Sequence, residues 1–159
     1  CKRFTSMAHL VLGISLGIAP VGAYMAVTGT SALECWLLAL VVMTWCAGFD
    51  IIYALQDAAF DRERGLHSIP SRFSARTSLT ISLLLHIVSV MLLLWFASYQ
   101  PQTWLLYTGC ALFAIILGAE HYIVTPTKQR NIGMAFGTFN ALASLSLAIF
   151  LILNLLIAA

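Results

Sequence analysis

Charge is scarce in this chain. Eight Lys and Arg and six Asp and Glu account for 9% of 159 residues, and the net charge is +2. Soluble domains carry about a quarter charged residues. With 61% hydrophobic residues and a mean hydropathy of +0.95, a globule of this length cannot hide its apolar surface from water. A soluble enzyme and a disordered tail are excluded, and the small net charge speaks against a nucleic-acid partner. Cysteine is sparse too. Cys1, Cys35, Cys46 and Cys110 show no CxxC spacing, so they read as packing residues and not as a zinc or redox motif. Strand-like alternation and internal repeats are lacking. No signal-peptide pattern precedes Lys2-Arg3, and the chain opens on Cys1 without Met. The expectation is a piece of a longer protein and not a lipidated N-terminus.

What is present is apolar runs. A helix needs about 20 apolar residues to cross the hydrocarbon core. Five segments qualify, at 7–27, 32–56, 78–98, 103–123 and 132–157. The expected fold is an all-α polytopic membrane bundle, with residues 1–159 as a single membrane domain. Ser31 and Glu34 have capping-box spacing before the second span. Tyr99–Gln102 and Thr125–Arg130 are polar breaks. Gly13 with Gly17, and Gly133 with Gly137, form GxxxG pairs that predict packing seams. Pro20 predicts a kink in the first span.

The positive charges fall in three places: Lys2 and Arg3, then Arg62, Arg64, Arg72 and Arg76, then Lys128 and Arg130. With five spans, all three face one side, and the other side has no Lys or Arg. By the positive-inside rule that side is cytoplasmic, with the N-terminus in and the C-terminus out. The expected setting is a bacterial inner membrane.

Carboxylates bordering a span are costly and need a reason. Asp50, Asp57, Asp61 and Glu63 cluster at one span end. On one continuous helix, with about 100° per residue, Asp57 and Asp61 fall within about 20° of Asp50. Three like charges on one face require a cation against them. Mg²⁺ suits the pattern, because it takes one or two carboxylates and completes its shell with waters and phosphate oxygens. Nearby arginines and lysines would balance a diphosphate. The chemistry expected is an amphiphile with a charged head and a long apolar tail. His86, mid-span, reads as a neutral histidine bonded inside the bundle. Glu120-His121-Tyr122 reads as an interfacial rim.

The segment from Asp50 through Tyr53, Ala54, Gln56, Asp57, Asp61, Gly65, Leu66, His67, Ser68 and Pro70 to Arg72 and Phe73 resembles the second aspartate-rich motif of the UbiA-type intramembrane prenyltransferases. Within that superfamily it is most similar to the 4-hydroxybenzoate polyprenyltransferases. Lys2-Arg3-Phe4-Thr5 is similar to the element before the family's fifth helix. Asn131 and Asn140 sit where the last helix often carries asparagines. The resemblance implies a nine-helix bundle of which this chain is the last five helices. The first motif, N-D-x-x-D-x-x-x-D, is absent, so a missing N-terminal half or partner chain is expected.

The resemblance also implies roles. Asp57 and Asp61 would be the Mg²⁺ ligands, with Asp50 catalytic beside substrate or metal. Arg3 would contact the diphosphate or an aromatic carboxylate. Lys2, Tyr53 and Arg72 would bind substrate. The implied partners are a polyprenyl diphosphate, an aromatic acid acceptor and the lipid bilayer. The implied reaction is Mg²⁺-dependent prenylation of 4-hydroxybenzoate in quinone biosynthesis. Naphthoate-, haem- and chlorophyll-type relatives are alternatives, as is a transporter or scaffold subunit. A CDP-alcohol phosphotransferase would need an upstream D-G-x-x-A-R element, which the sequence lacks.

Overall fold

The computed structural model describes residues 1–101, 103–125 and 132–158. Among them the chain is helical and no strand forms. Its elements are α1 (Ala8–Thr28), α2 (Leu33–Ala54), α3 (Ala58–Glu63), α4 (Ile69–Arg72), α5 (Ala75–Ala97), α6 (Trp104–Ile123), α7 (Ile132–Met134), a π-helical turn (Ala135–Phe139) and α8 (Asn140–Ala158). Five stretches are long and apolar enough to cross a membrane: α1, α2, α5, α6 and the run Ile132–Ala158. The five expected spans are therefore present, displaced by a few residues at their ends.

The central helix is α2, with α1 on one side and α5 on the other, while α6 packs against α5 and α8. The main core joins Leu37, Val41 and Trp45 of α2 to Leu93 of α5, Phe113 of α6 and Leu147 of α8. Cys35, Cys46 and Cys110 are buried and unbridged, as packing residues should be. In contrast, α8 leaves Leu145, Ile152 and Leu156 exposed, an apolar surface suited to acyl chains and not to water.

Polar contacts between α2 and α5 are directional. Ser82 donates to the Gly48 carbonyl at 2.7 Å, and Ser89 donates to the Val41 carbonyl at 3.0 Å. Between them, His86 Nε2 reaches the Trp45 carbonyl at 3.3 Å. Three α5 side chains thus step along α2, each using a carbonyl's second lone pair. In a membrane interior such bonds replace the water that a polar group would otherwise find.

Several local expectations change. The Ser31–Glu34 capping box does not form. Ala32 takes the N-cap position without a side-chain bond, which moves Glu34 one position too early to reach back. A capping box does form at α4, where Ser68 and Ser71 bond reciprocally at 3.1 and 2.8 Å. The Gly13–Gly17 seam is real: a β-carbon on Gly17 would lie 2.7 Å from the Ala39 carbonyl, and one on Gly13 would run into the Met43 carbonyl. At Gly133 and Gly137 a β-carbon would meet nothing within 4 Å, so no seam forms there among the described residues. Lys128, Arg130 and Asn131 lie outside the described residues.

Candidate active site

The second span does not carry all three aspartates. Helix α2 stops at Ala54, and the chain turns through Leu55, Gln56 and Asp57 before α3 begins. The single stripe from Asp50 to Asp61 is therefore broken, because the 100° step holds only within one helix. Asp57 is the residue before α3, and Asp61 lies in its first turn.

Helix α3 is short because its C-terminus closes at once. Gly65 adopts φ +64°, a left-handed conformation that glycine takes without strain. Its N–H bonds the Arg62 carbonyl at 3.2 Å, and the Leu66 N–H bonds the Asp61 carbonyl at 2.7 Å. This double closure is a Schellman motif, and it reverses the chain toward α4. The turn then meets the N-terminal segment, where the His67 N–H donates to the Lys2 carbonyl at 2.6 Å.

That contact brings Lys2 to the carboxylates. Lys2 Nζ lies 3.0 Å from Asp61 Oδ2 and 4.0 Å from Asp57 Oδ2. Asp61 is buried, with 2% of its side chain exposed, whereas Asp57 is open at 54%. Two carboxylate oxygens thus converge on one cationic centre, and one of the two retains access to water. Among the described residues, no group of three or more His, Cys, Asp or Glu side chains converges on a metal position. A cation there would need its remaining ligands from water or from a bound molecule.

Asp50 is held elsewhere. Its Oδ2 lies 2.7 Å from His9 Nδ1, and His9 is 1% exposed. His9 Nε2 in turn accepts the Ile69 N–H at 3.3 Å. Sequence reasoning missed His9. Its only signal was a histidine near the start of an otherwise apolar span.

Arg3 is exposed and, with Phe4, Phe60, Arg64, Gly65 and Leu66, lines an open cavity of ≈ 680 Å³. The Arg64 guanidinium stacks 5.5 Å from the Phe60 ring centre, which orients its donors. Arg62 donates to the Pro70 carbonyl at 3.3 Å. Tyr53 and Arg72 are exposed, Tyr53 at the end of α2 and Arg72 in α4. Lys2, Arg3, Asp57 and Asp61 thus gather at the bundle end that bears the α2–α5 connection. Asp50 is tied to the same end through His9 and Ile69.

A second cavity, ≈ 260 Å³ and almost wholly apolar, lies between α5 and α6 beside His86 and His121. No arginine, lysine or carboxylate is among its lining residues, whereas Arg3 and Arg64 line the larger cavity near Lys2. His86 is bonded inside the bundle as expected, with His121 Nε2 at 3.0 Å from its Nδ1. Glu120 is not a rim residue. It is completely buried, because it faces inward toward His86 and Asn140.

Comparison with known proteins bears on this arrangement. Residues 1–143 match the model of the UbiA prenyltransferase family. The chain belongs to the UbiA prenyltransferase family. The 4-hydroxybenzoate octaprenyltransferase of Francisella tularensis subsp. mediasiatica is 27% identical over 152 residues, covering 96% of this chain and 52% of that protein. The 4-hydroxybenzoate octaprenyltransferase of Edwardsiella ictaluri is 29% identical over 135 residues, covering 85% and 47%. The apo structure of a UbiA homolog from Aeropyrum pernix superposes with a TM-score of 0.83 at 28% identity, covering 97% of this chain and 57% of that one. This UbiA-family chain therefore spans about half the length of the curated relatives it matches.

Proposed function

We propose that these residues form part of an intramembrane prenyltransferase that moves a polyprenyl group from its diphosphate to an aromatic acid, 4-hydroxybenzoate. The observation that carries this reading is the convergence of Asp57 and Asp61 on one cationic centre beside exposed arginines. The donor set fits Mg²⁺, which accepts one or two carboxylates and takes its other oxygens from water and phosphate. The Lys2 ammonium between the two carboxylates marks where positive charge is favourable. When bound, Mg²⁺ neutralises charge on the departing diphosphate as a Lewis acid.

The protein's own residues supply the rest. Asp57 and Asp61 would hold the metal. Lys2 and Arg3 contact diphosphate oxygens, and the Arg3 fork donates bidentately to either phosphate or the acceptor carboxylate. Arg72 and Tyr53 line the approach. Asp50 presents a partly exposed carboxylate toward the reacting molecules. As the prenyl C–O bond breaks and diphosphate leaves, the ring carbon forms the new C–C bond, and the ring proton passes to the released diphosphate or to water. The apolar spans keep water from the allylic cation. Residues 1–159 act as one membrane domain. The site faces the cytoplasm of a bacterial inner membrane, since Lys2, Arg3, Arg62, Arg64, Arg72 and Arg76 share one end of the bundle.

The test uses the full-length protein in its membrane. Asp57→Asn and Asp61→Asn should each abolish most Mg²⁺-dependent transfer while the folded, membrane-inserted protein persists. Wild-type turnover in either variant would overturn the assignment. An acceptor screen with one prenyl diphosphate separates 4-hydroxybenzoate from naphthoate, haem and chlorophyll-type acceptors.

A further inference from the structure

His9 is the most tightly held polar side chain near the site that the proposed reaction does not use. It stands in the first turns of α1, 1% exposed, between α2 and α4. Both ring nitrogens have partners. On one side, Nδ1 lies 2.7 Å from Asp50 Oδ2. On the other, Nε2 lies 3.3 Å from the Ile69 nitrogen.

The second contact decides the first. A backbone N–H can only donate, so Nε2 must be an acceptor and carry no proton. An imidazolium, or the tautomer with hydrogen on Nε2, would set two N–H groups against each other. The hydrogen therefore resides on Nδ1 and points at Asp50. Ile69 is held in place independently, because it opens α4 directly after the Ser68–Ser71 capping box. The donor that fixes the tautomer is thus part of a locally rigid turn.

We infer that His9 is a positioning residue for Asp50: the α4 N-terminus fixes its tautomer, and its Nδ1–H holds one carboxylate oxygen so that the other is presented to the reacting molecules. This inference rests on the proposed prenyl-transfer reading for what Asp50 faces, but the tautomer stands on the geometry alone. The same contacts couple Asp50 to the α3–α4 turn, whose next anchor is the His67–Lys2 backbone bond of 2.6 Å. The carboxylate and the loop that carries the arginines then keep a fixed relation. A charge-assisted bond of this length is among the stronger side-chain contacts a protein makes. Outer partners of metal-ligating histidines and carboxylates are typically worth roughly 10- to 100-fold in metal affinity or activity, and a loss on that scale is expected for Asp50 by analogy.

Two measurements on the full-length protein in lipid bilayers test it. The first reads the tautomer directly. In nitrogen spectra of protein carrying labelled histidine, His9 should show a protonated Nδ1 and a bare Nε2, and Asp50→Ala should move the Nδ1 resonance. A proton on Nε2, protons on both nitrogens, or an Nδ1 signal indifferent to Asp50→Ala would overturn the inference.

The second measurement is kinetic. His9→Ala should lower kcat for prenyl transfer by roughly 10- to 100-fold. The KM for the prenyl diphosphate should stay within about 3-fold, as for a loss felt in the transition state and not in ground-state binding. His9→Asn, whose amide N–H can still reach Asp50, should recover to within about 5-fold of wild type, since it keeps the charge-assisted bond. Equal loss in both variants, or a raised KM at unchanged kcat, would overturn the positioning role. If the wild-type protein transfers no prenyl group at all, the proposed function fails. The spectra then still decide whether the tautomer is right.

Discussion

Among the described residues two histidine–carboxylate pairs lie in this bundle, and they are built in opposite ways. Near the charged end, His9 Nδ1 meets Asp50 at 2.7 Å, and Asp50 keeps 22% of its side chain exposed. In the sealed interior, His86 Nδ1 stays 3.9 Å from Glu120, and the two residues are 2% and 0% exposed. There His86 turns to a backbone carbonyl and to His121 instead. A carbonyl can only accept, so His86 carries its hydrogen on Nε2, whereas His9 carries its own on Nδ1. The first arrangement directs a charge-assisted bond at a carboxylate that water and solutes can reach. The second joins three helices around a carboxylate that they cannot. The two pairs thus differ in access as well as in bonding.

The comparison can be broken most forcefully at the accessible end. Asp57→Asn or Asp61→Asn should cut prenyl transfer in the full-length protein by at least about 100-fold, as loss of a preorganised charge at a leaving group does. Chelating Mg²⁺ should do the same to the wild type, with activity returning on its re-addition. Thermal unfolding monitored alongside separates lost chemistry from lost fold.

The sealed interior should answer in stability and not in chemistry. Gly48 backs directly onto the His86 ring, so a β-carbon there would overlap the imidazole. Gly48→Ala should cost about 1–3 kcal/mol, the usual penalty for overpacking. Gly137→Ala, where a β-carbon would meet nothing within 4 Å, should shift stability by less than about 0.5 kcal/mol. Equal effects at the two glycines would refute the packing described for α2 and α5.

Smaller still are the single bonds between spans. Ser82→Ala and Ser89→Ala should each cost about 0.6 kcal/mol, the typical value of an interhelical hydrogen bond in a membrane. Glu120→Gln should change stability by less than about 1 kcal/mol, since the amide keeps the shape and can still face Asn140. A large loss of folding in Glu120→Gln would mean that its charge is structural and that the contrast with Asp50 is drawn in the wrong place.

Much of this protein was legible in its residues. Long apolar runs can only be membrane helices, because backbone groups in hydrocarbon must bond within their own segment. Five such runs, few charges and the aspartate-rich stretch after Asp50 suffice for the number of spans and the family. Periodicity could not show that α2 ends at Ala54, because the apolar and acidic pattern continues smoothly through the break. The sequence spacing of Ser31 and Glu34 was right for a cap, yet the helix began one residue later than that cap requires. Glu120 read as an interfacial residue because it lies near the end of its span, and only the packing of α6 against its neighbours turned it inward.

The tertiary structure alone decided who partners whom. Lys2 reaches Asp61 across 59 residues of sequence, and His9 reaches Asp50 across 41. No local rule of spacing encodes such pairs. They exist because α1 packs antiparallel along α2, which sets His9 beside Asp50, because the turn at Gly65 brings His67 onto the Lys2 carbonyl, and because close packing leaves each buried polar group only the neighbours that the fold brings to it.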